Sequence, residues 1–159
     1  MAHESHAVWL DSGQAPSHFA QWDILACNPS ITLTTRGDIT EVSNNGETRT
    51  SSENPLSLLK QALQSRSSGQ QTNHSAPFTG GAIGYFGYEL GNRFEKLPRP
   101  VESPAPWPEM AVGLYDWFVI YHRGSGEAQL IWDERLIQDE ALITQWHQRL
   151  LENESTASD

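Results

Sequence analysis

Hydrophobic and polar positions along this chain fall into short alternating blocks separated by turn residues, a rhythm of strands more than of long helices. Ala7 to Gly13 (AVWLDSG) predicts a short strand ending in a turn. In WDILAC, Trp22, Ile24 and Ala26 fall on one face and Leu25 and Cys27 on the other, the pattern of a strand buried on both sides, and Asn28-Pro29 ends it. The blocks ITLTT, ITEVS and TRTSS follow, divided by the turns Arg36-Gly37-Asp38 and Asn44-Asn45-Gly46-Glu47, and together predict a β-meander. The period then changes. Asn54-Pro55 joins a good N-cap to a proline tolerated at the first helical position, and Leu56, Leu59 and Leu63, broadened by Leu58 and Ala62, predict an amphipathic helix from Pro55 to about Gln64.

Ser65 to Ala76 is polar and predicts a loop within one domain. Beyond it lies the stretch densest in shape-determining residues, PFTGGAIGYFGYELGNRFEKLP from Pro77 to Pro98. Its glycines (Gly80, Gly81, Gly84, Gly87, Gly91) let backbone approach closely, while Phe78, Ile83, Tyr85, Phe86, Tyr88 and Phe94 supply large buried area. We read it as a central structural strand and turn packed against WDILAC and MAVGLYDWFVIYH. Gly80, Gly81, Gly84, Tyr85, Gly87 and Tyr88 form its core motif, and its aromatics are expected to floor the Leu10-Asp11-Ser12 turn. Pro98, Pro100, Pro104, Pro106 and Pro108 make the next passage extended. Glu109 to His122 is the longest apolar run and predicts one strand, with Ala128 to Trp132 as its hairpin partner across Arg123-Gly124-Ser125-Gly126. A second amphipathic helix follows from Asp139, with Leu142, Trp146 and Leu150, and Ile143 and Leu151, along its stripe. The organisation predicted is one domain over residues 1–152 with a disordered tail at 153–159.

Composition narrows the function classes. At 159 residues the chain can bury roughly two-thirds or more of its unfolded surface. The apolar fraction is only 37%, but six Trp, five Phe and four Tyr are efficient core material. A formal net charge of −10, with two lysines and eight arginines scattered along the chain, gives no basic patch for nucleic acid or an anionic membrane surface. No apolar run approaches the length of a spanning helix, and the N-terminus lacks the basic start and apolar core of a signal peptide. The single Cys27 permits no internal disulfide and reads as a small buried hydrophobe, so the expected compartment is the cytoplasm.

Candidate chemistry is sparse. The glycine spacing lacks the Gly-Lys-Ser/Thr of a phosphate loop and the GxGxxG of a dinucleotide fold. His3, His6, His18, His74, His122 and His147 show no strong ligand spacing, so no metal site is read in this chain, and no GxSxG supports a hydrolase. We identify no catalytic residue. One pair stands out: Asp11-Ser12 follows apolar Val8-Trp9-Leu10 and precedes Gly13, so a carboxylate and a hydroxyl project at a strand end. An anion and a small polar group are what a free amino acid needs at its ammonium, although such a pair is also a common turn cap.

The blocks VWLDSG, WDILACNPSITLTTRGDITEV, PLSLLKQAL, PFTGGAIGYFGYELGNRFEKLP and PEMAVGLYDW, in that order, resemble the N-terminal region of the aminodeoxychorismate and anthranilate synthase component I family, the former more closely. The resemblance implies an α+β fold of antiparallel sheets with flanking helices. It implies a glutamine amidotransferase partner that supplies ammonia, and a second domain that binds chorismate with magnesium. No counterpart of that chorismate-binding domain is recognised in this sequence, so the chain alone is expected not to turn over chorismate and to need no cofactor. Family members hold tryptophan in a pocket lined by a Leu-x-Ser element, which Leu10-Asp11-Ser12 matches. The next element aligns with Phe19-Ala20-Gln21-Trp22, where Gln21 stands in place of a basic residue and Trp22 in place of a smaller aromatic. The candidate ligand set is therefore Asp11, Ser12, Phe19, Gln21 and Trp22. A free-standing amino-acid sensor or protein-interaction module is the competing reading.

Overall fold

The computed structural model describes residues 4–13, 21–66, 80–95, 107–134 and 136–152. Two antiparallel sheets carry the fold. The first has the order β1-β2-β8-β9 and comprises Val8–Leu10, Trp22–Ala26, Trp117–His122 and Glu127–Trp132. The second has the order β5-β4-β3-β7-β6 and comprises Glu47–Ser51, Ile39–Asn44, Ile31–Arg36, Met110–Tyr115 and Gly81–Phe86. Helices α1 (Pro55–Arg66) and α2 (Glu140–Glu152) flank them, and a 3-10 turn spans Tyr88–Arg93. The architecture is the expected α+β class.

The meander β3-β4-β5 forms where alternation and turn residues agree. Asn45 and Gly46 both take positive φ (49° and 89°), the backbone that a two-residue hairpin matched to strand twist requires. Leu33 and Val42, inward on β3 and β4, join Met110, Val112 and Leu114 of β7 in one apolar cluster, which Leu58 and Leu59 of α1 cover. The side chain of Asn54 caps α1, its Oδ1 accepting the amides of Leu56 at 2.9 Å and Ser57 at 3.3 Å, and Asp139 caps α2 in the same way through Ala141 and Leu142. A second cluster joins the two sheets: Ile83 and Tyr115 of the five-stranded sheet pack with Ala26, Phe118 and Ile120 of the four-stranded one. A third lies on the opposite face of β2 and β8, where Cys27, Trp117 and Val119 meet α2, and Trp117 stacks on Trp146 at 4.2 Å between ring centroids. The two faces read from WDILAC thus serve two separate cores.

Three expectations need correction. The run from Glu109 to His122 is two strands in different sheets, because the chain leaves the five-stranded sheet at Asp116. Asp116 is held there by an ion pair with Arg66 at the end of α1 and by its carbonyl, which accepts the Asp133 amide at 2.8 Å. Helix α1 runs on through Arg66, and its buried face is Pro55, Leu58 and Leu59, with Ala62 and Leu63 half-buried against the cluster, while Leu56 turns outward. Third, β6 is an edge strand instead of a central one. It does pack as expected against β7 in register and, through Ile83, against Ala26. Tyr85, Phe86 and Tyr88 nevertheless face outward, and the floor of the inter-sheet core is Ile83, Tyr115, Phe118 and Ile120. The loop from residue 67 to Ala76, the prolines from Pro98 to Pro106 and the tail 153–159 lie outside the described residues.

Candidate functional site

The Asp11-Ser12-Gly13 segment leaves β1 and is tied down by two residues of the neighbouring strands. Asp23, in the middle of β2, is buried, and its Oδ1 accepts the Ser12 amide at 3.0 Å and Arg123 Nε at 2.9 Å. Arg123, just beyond β8, also donates through Nη1 to the Gly13 carbonyl at 2.7 Å and through Nη2 to Asp11 Oδ1, and its own amide donates to the Gln21 carbonyl at 2.9 Å. Asp11 Oδ1 accepts the Gly13 amide at 2.7 Å, closing an Asx turn, and Ser12 Oγ donates to the Trp22 carbonyl.

The electrostatics follow from this geometry. The Arg123 guanidinium, aided by the Ser12 amide, holds the Asp23 carboxyl below the usual carboxylate range against the opposing effect of burial. Asp23 in turn raises the Arg123 pKa. A buried carboxylate needs such a partner, since an unpaired charge there would carry its full desolvation penalty. Beside the network the rings of Trp22 and His122 lie 4.5 Å apart at 46°, and His122 Nδ1 is 2.8 Å from Ser125 Oγ.

Of the expected ligand set, Asp11, Ser12, Gln21 and Trp22 converge on this corner: Asp11 and Gln21 exposed, Ser12 and Trp22 half-buried. Phe19 lies outside the described residues. Sequence reasoning passed over Asp23 and Arg123, which organise the corner. The available signal was the lone acid within the otherwise apolar WDILAC, a buried position that demands a cation. The glycine motif sits elsewhere, along β6: Gly80 and Gly81 take φ of 130° and 131°, Gly84 lies against β7, and Gly87 precedes the 3-10 turn. Tyr85 donates its hydroxyl to the Pro108 carbonyl at 3.1 Å, and Tyr88 is 87% exposed.

Among the described residues no three His, Cys, Asp or Glu side chains converge as a metal ion requires, so these residues do not form a magnesium site. No described helix is long and apolar enough to cross a membrane. A cleft of about 510 Å³ between β9 and α2 has Leu130, Trp132, Ile143 and His147 among its lining residues, and none of the Asp11 network borders it.

The family profile described as chorismate binding enzyme matches residues 5–159. Over 120 residues, 76% of this chain, the sequence is 42% identical to aminodeoxychorismate synthase component 1 of Escherichia coli strain K12, of which it covers 26%. It is 28% identical over 113 residues, 70% of this chain, to anthranilate synthase component 1 of Acetivibrio thermocellus, covering 23% of that protein. The chain therefore spans about a quarter of the length of these relatives. The crystal structure of anthranilate synthase component I from Streptococcus pneumoniae TIGR4 superposes with a TM-score of 0.66 at 24% identity, over 94% of this chain and 32% of the other, a likeness of fold. By the near full-length profile match, this chain belongs to the chorismate binding enzyme family.

Proposed function

We propose that this chain is an N-terminal-type, non-catalytic domain of aminodeoxychorismate synthase component 1. That enzyme makes 4-amino-4-deoxychorismate from chorismate and glutamine-derived ammonia, for para-aminobenzoate and folate synthesis. The observation that carries the reading is the 42% identity to the Escherichia coli component 1, against 28% to an anthranilate synthase. In this reading the domain is a cytoplasmic scaffold that contacts the glutamine amidotransferase subunit, and magnesium and chorismate are held by polypeptide other than this chain. The physical support is charge: chorismate is a dianion, and a chain with 20 acidic against 10 basic residues, whose Arg66, Arg93 and Arg123 are each engaged by carboxylates, offers no cluster to hold it.

The Asp11 corner is the proposed amino-acid pocket, with tryptophan as its ligand. Both recorded bonds to Asp11 use Oδ1, so Oδ2 is the atom to receive an ammonium, while Trp22 offers an aromatic face and Ser12 a hydroxyl. Incubation of the purified chain with chorismate, ammonia and magnesium is expected to yield no aminated product, and turnover would overturn the non-catalytic assignment. Calorimetry with millimolar tryptophan is expected to give a binding heat that Asp11→Asn removes. No heat would overturn the pocket and leave the scaffold reading in place.

A further inference from the structure

The two edges of the five-stranded sheet are built differently. Edge strand β5 carries Glu47, Thr48, Arg49 and Thr50, all exposed, and charges of this kind keep an open edge from pairing with another chain. Edge strand β6 reads Gly81-Ala82-Ile83-Gly84-Tyr85-Phe86 and has no charge at all. Its backbone is poised to accept a strand. The Gly87 amide donates to the Glu109 carbonyl at 2.7 Å in continuation of the β6–β7 register, so Gly81, Ile83 and Tyr85 turn their N–H and C=O groups towards β7. By alternation, Ala82, Gly84 and Phe86 turn theirs outward, and no strand lies beyond them among the described residues. Around this edge large aromatics stand in solvent: Tyr85 and Phe86, Tyr88, Phe94 and Trp107, the last placed next to Tyr85 by the Tyr85–Pro108 hydrogen bond. Scattered single hydrophobics need no explanation, but five aromatics around one unprotected edge form an interaction surface.

We propose that the free edge of β6 and its aromatic surround dock the rest of a component 1 polypeptide, which adds an extended strand to this sheet. The inference rests on the synthase reading above. The relatives that share this region carry most of their length outside it, so a large body of polypeptide is available to cover the one edge this chain leaves unguarded.

The test is amide hydrogen exchange on the 159-residue chain, alone and after co-expression with the part of the Escherichia coli component 1 that lies outside its matched 120 residues, produced as a separate polypeptide. In the chain alone the Ala82, Gly84 and Phe86 amides are expected to exchange at least about tenfold faster than those of Ile83 and Tyr85, and to slow by a similar factor in the complex. The exposed substitutions Tyr88→Glu and Trp107→Glu are expected to weaken association about tenfold or more without lowering the melting temperature. Slow exchange of the three outward amides in the chain alone would overturn the proposal, and sedimentation would then show whether a second copy covers the edge. Failure to associate would overturn it too. Association that survives both substitutions would overturn the docking surface while leaving the synthase reading intact, whereas turnover by the chain alone would strike at that reading first.

Discussion

Gly84 is the position at which a single methyl group should do most harm. A Cβ built there would lie 2.1 Å from the Ala111 carbonyl oxygen and 2.6 Å from Val112 Cα, both main-chain atoms of β7 that cannot rotate away. Restoring ordinary contact requires β6 and β7 to part by more than an ångström, enough to stretch adjacent ladder hydrogen bonds worth about 1 kcal/mol each. Overpacking of this kind adds roughly 1–3 kcal/mol, and the lost flexibility of glycine in the unfolded chain returns about 0.4–1 kcal/mol. The net expectation for Gly84→Ala is a loss of about 2–3 kcal/mol, or a fall in Tm of roughly 5–10 °C for a domain of this size. Because ordinary domains hold about 5–15 kcal/mol, the variant should still fold, and Gly84→Val should not. Gly87→Ala is the control: its Cβ would sit 3.2 Å from the Glu109 carbonyl at an ordinary φ of −70°, for a cost under about 1 kcal/mol. Thermal melts followed by far-ultraviolet circular dichroism decide the matter. A Gly84→Ala midpoint within about 2 °C of the parent, or an equal loss from Gly87→Ala, would refute the close approach of β6 to β7.

Two further predictions concern pH. Asp23 has a folded pKa below its unfolded value, so its contribution is present at neutral pH and is lost as pH falls below about 4 through the folded pKa; urea midpoints measured down this range should drop less steeply in Asp23→Asn, which starts less stable. Tyr115 runs the other way: burial pushes its hydroxyl up to about 12 while it donates to the His6 carbonyl at 2.8 Å, so its contribution is whole below about pH 10 and is lost between 10 and 12 at up to about 1.4 kcal/mol per pH unit. Absorbance titration at the tyrosinate band should show one tyrosine ionising late, and Tyr115→Phe should abolish that late step.

Local signals were legible wherever structure is decided locally. The β3-β4-β5 meander, the Asn54 cap and the β8–β9 hairpin need only alternation, turn residues and capping chemistry, all carried within a few positions. What could not be read was the destination of each element. Nothing in Met110 to His122 announces that Asp116 divides two sheets, because an apolar run has the same period whether it continues or changes partners. The edge position of β6 was hidden for the same reason: glycine beside aromatic residues fits a tight interior and an uncovered rim equally well. At the candidate site, Asp11-Ser12 was visible as a strand-end turn, but its anchor is the Asp23–Arg123 pair, whose members stand 100 residues apart in the chain.

The strand order of the four-stranded sheet also sets a timetable. Trp22 and Asp23 of β2 find their partners in His122 and Tyr121, so the first two strands made on the ribosome can complete no sheet until the chain has grown past β8. Such distant pairing carries a large loop-closure entropy and slows folding relative to local meanders. The β3-β4-β5 unit is free to assemble first and wait, while Trp9, Leu10 and the WDILAC strand remain as unpaired apolar polypeptide, the form most exposed to aggregation and to chaperones. Any shortening of the chain that removes β8 would therefore strand its beginning as well as its end.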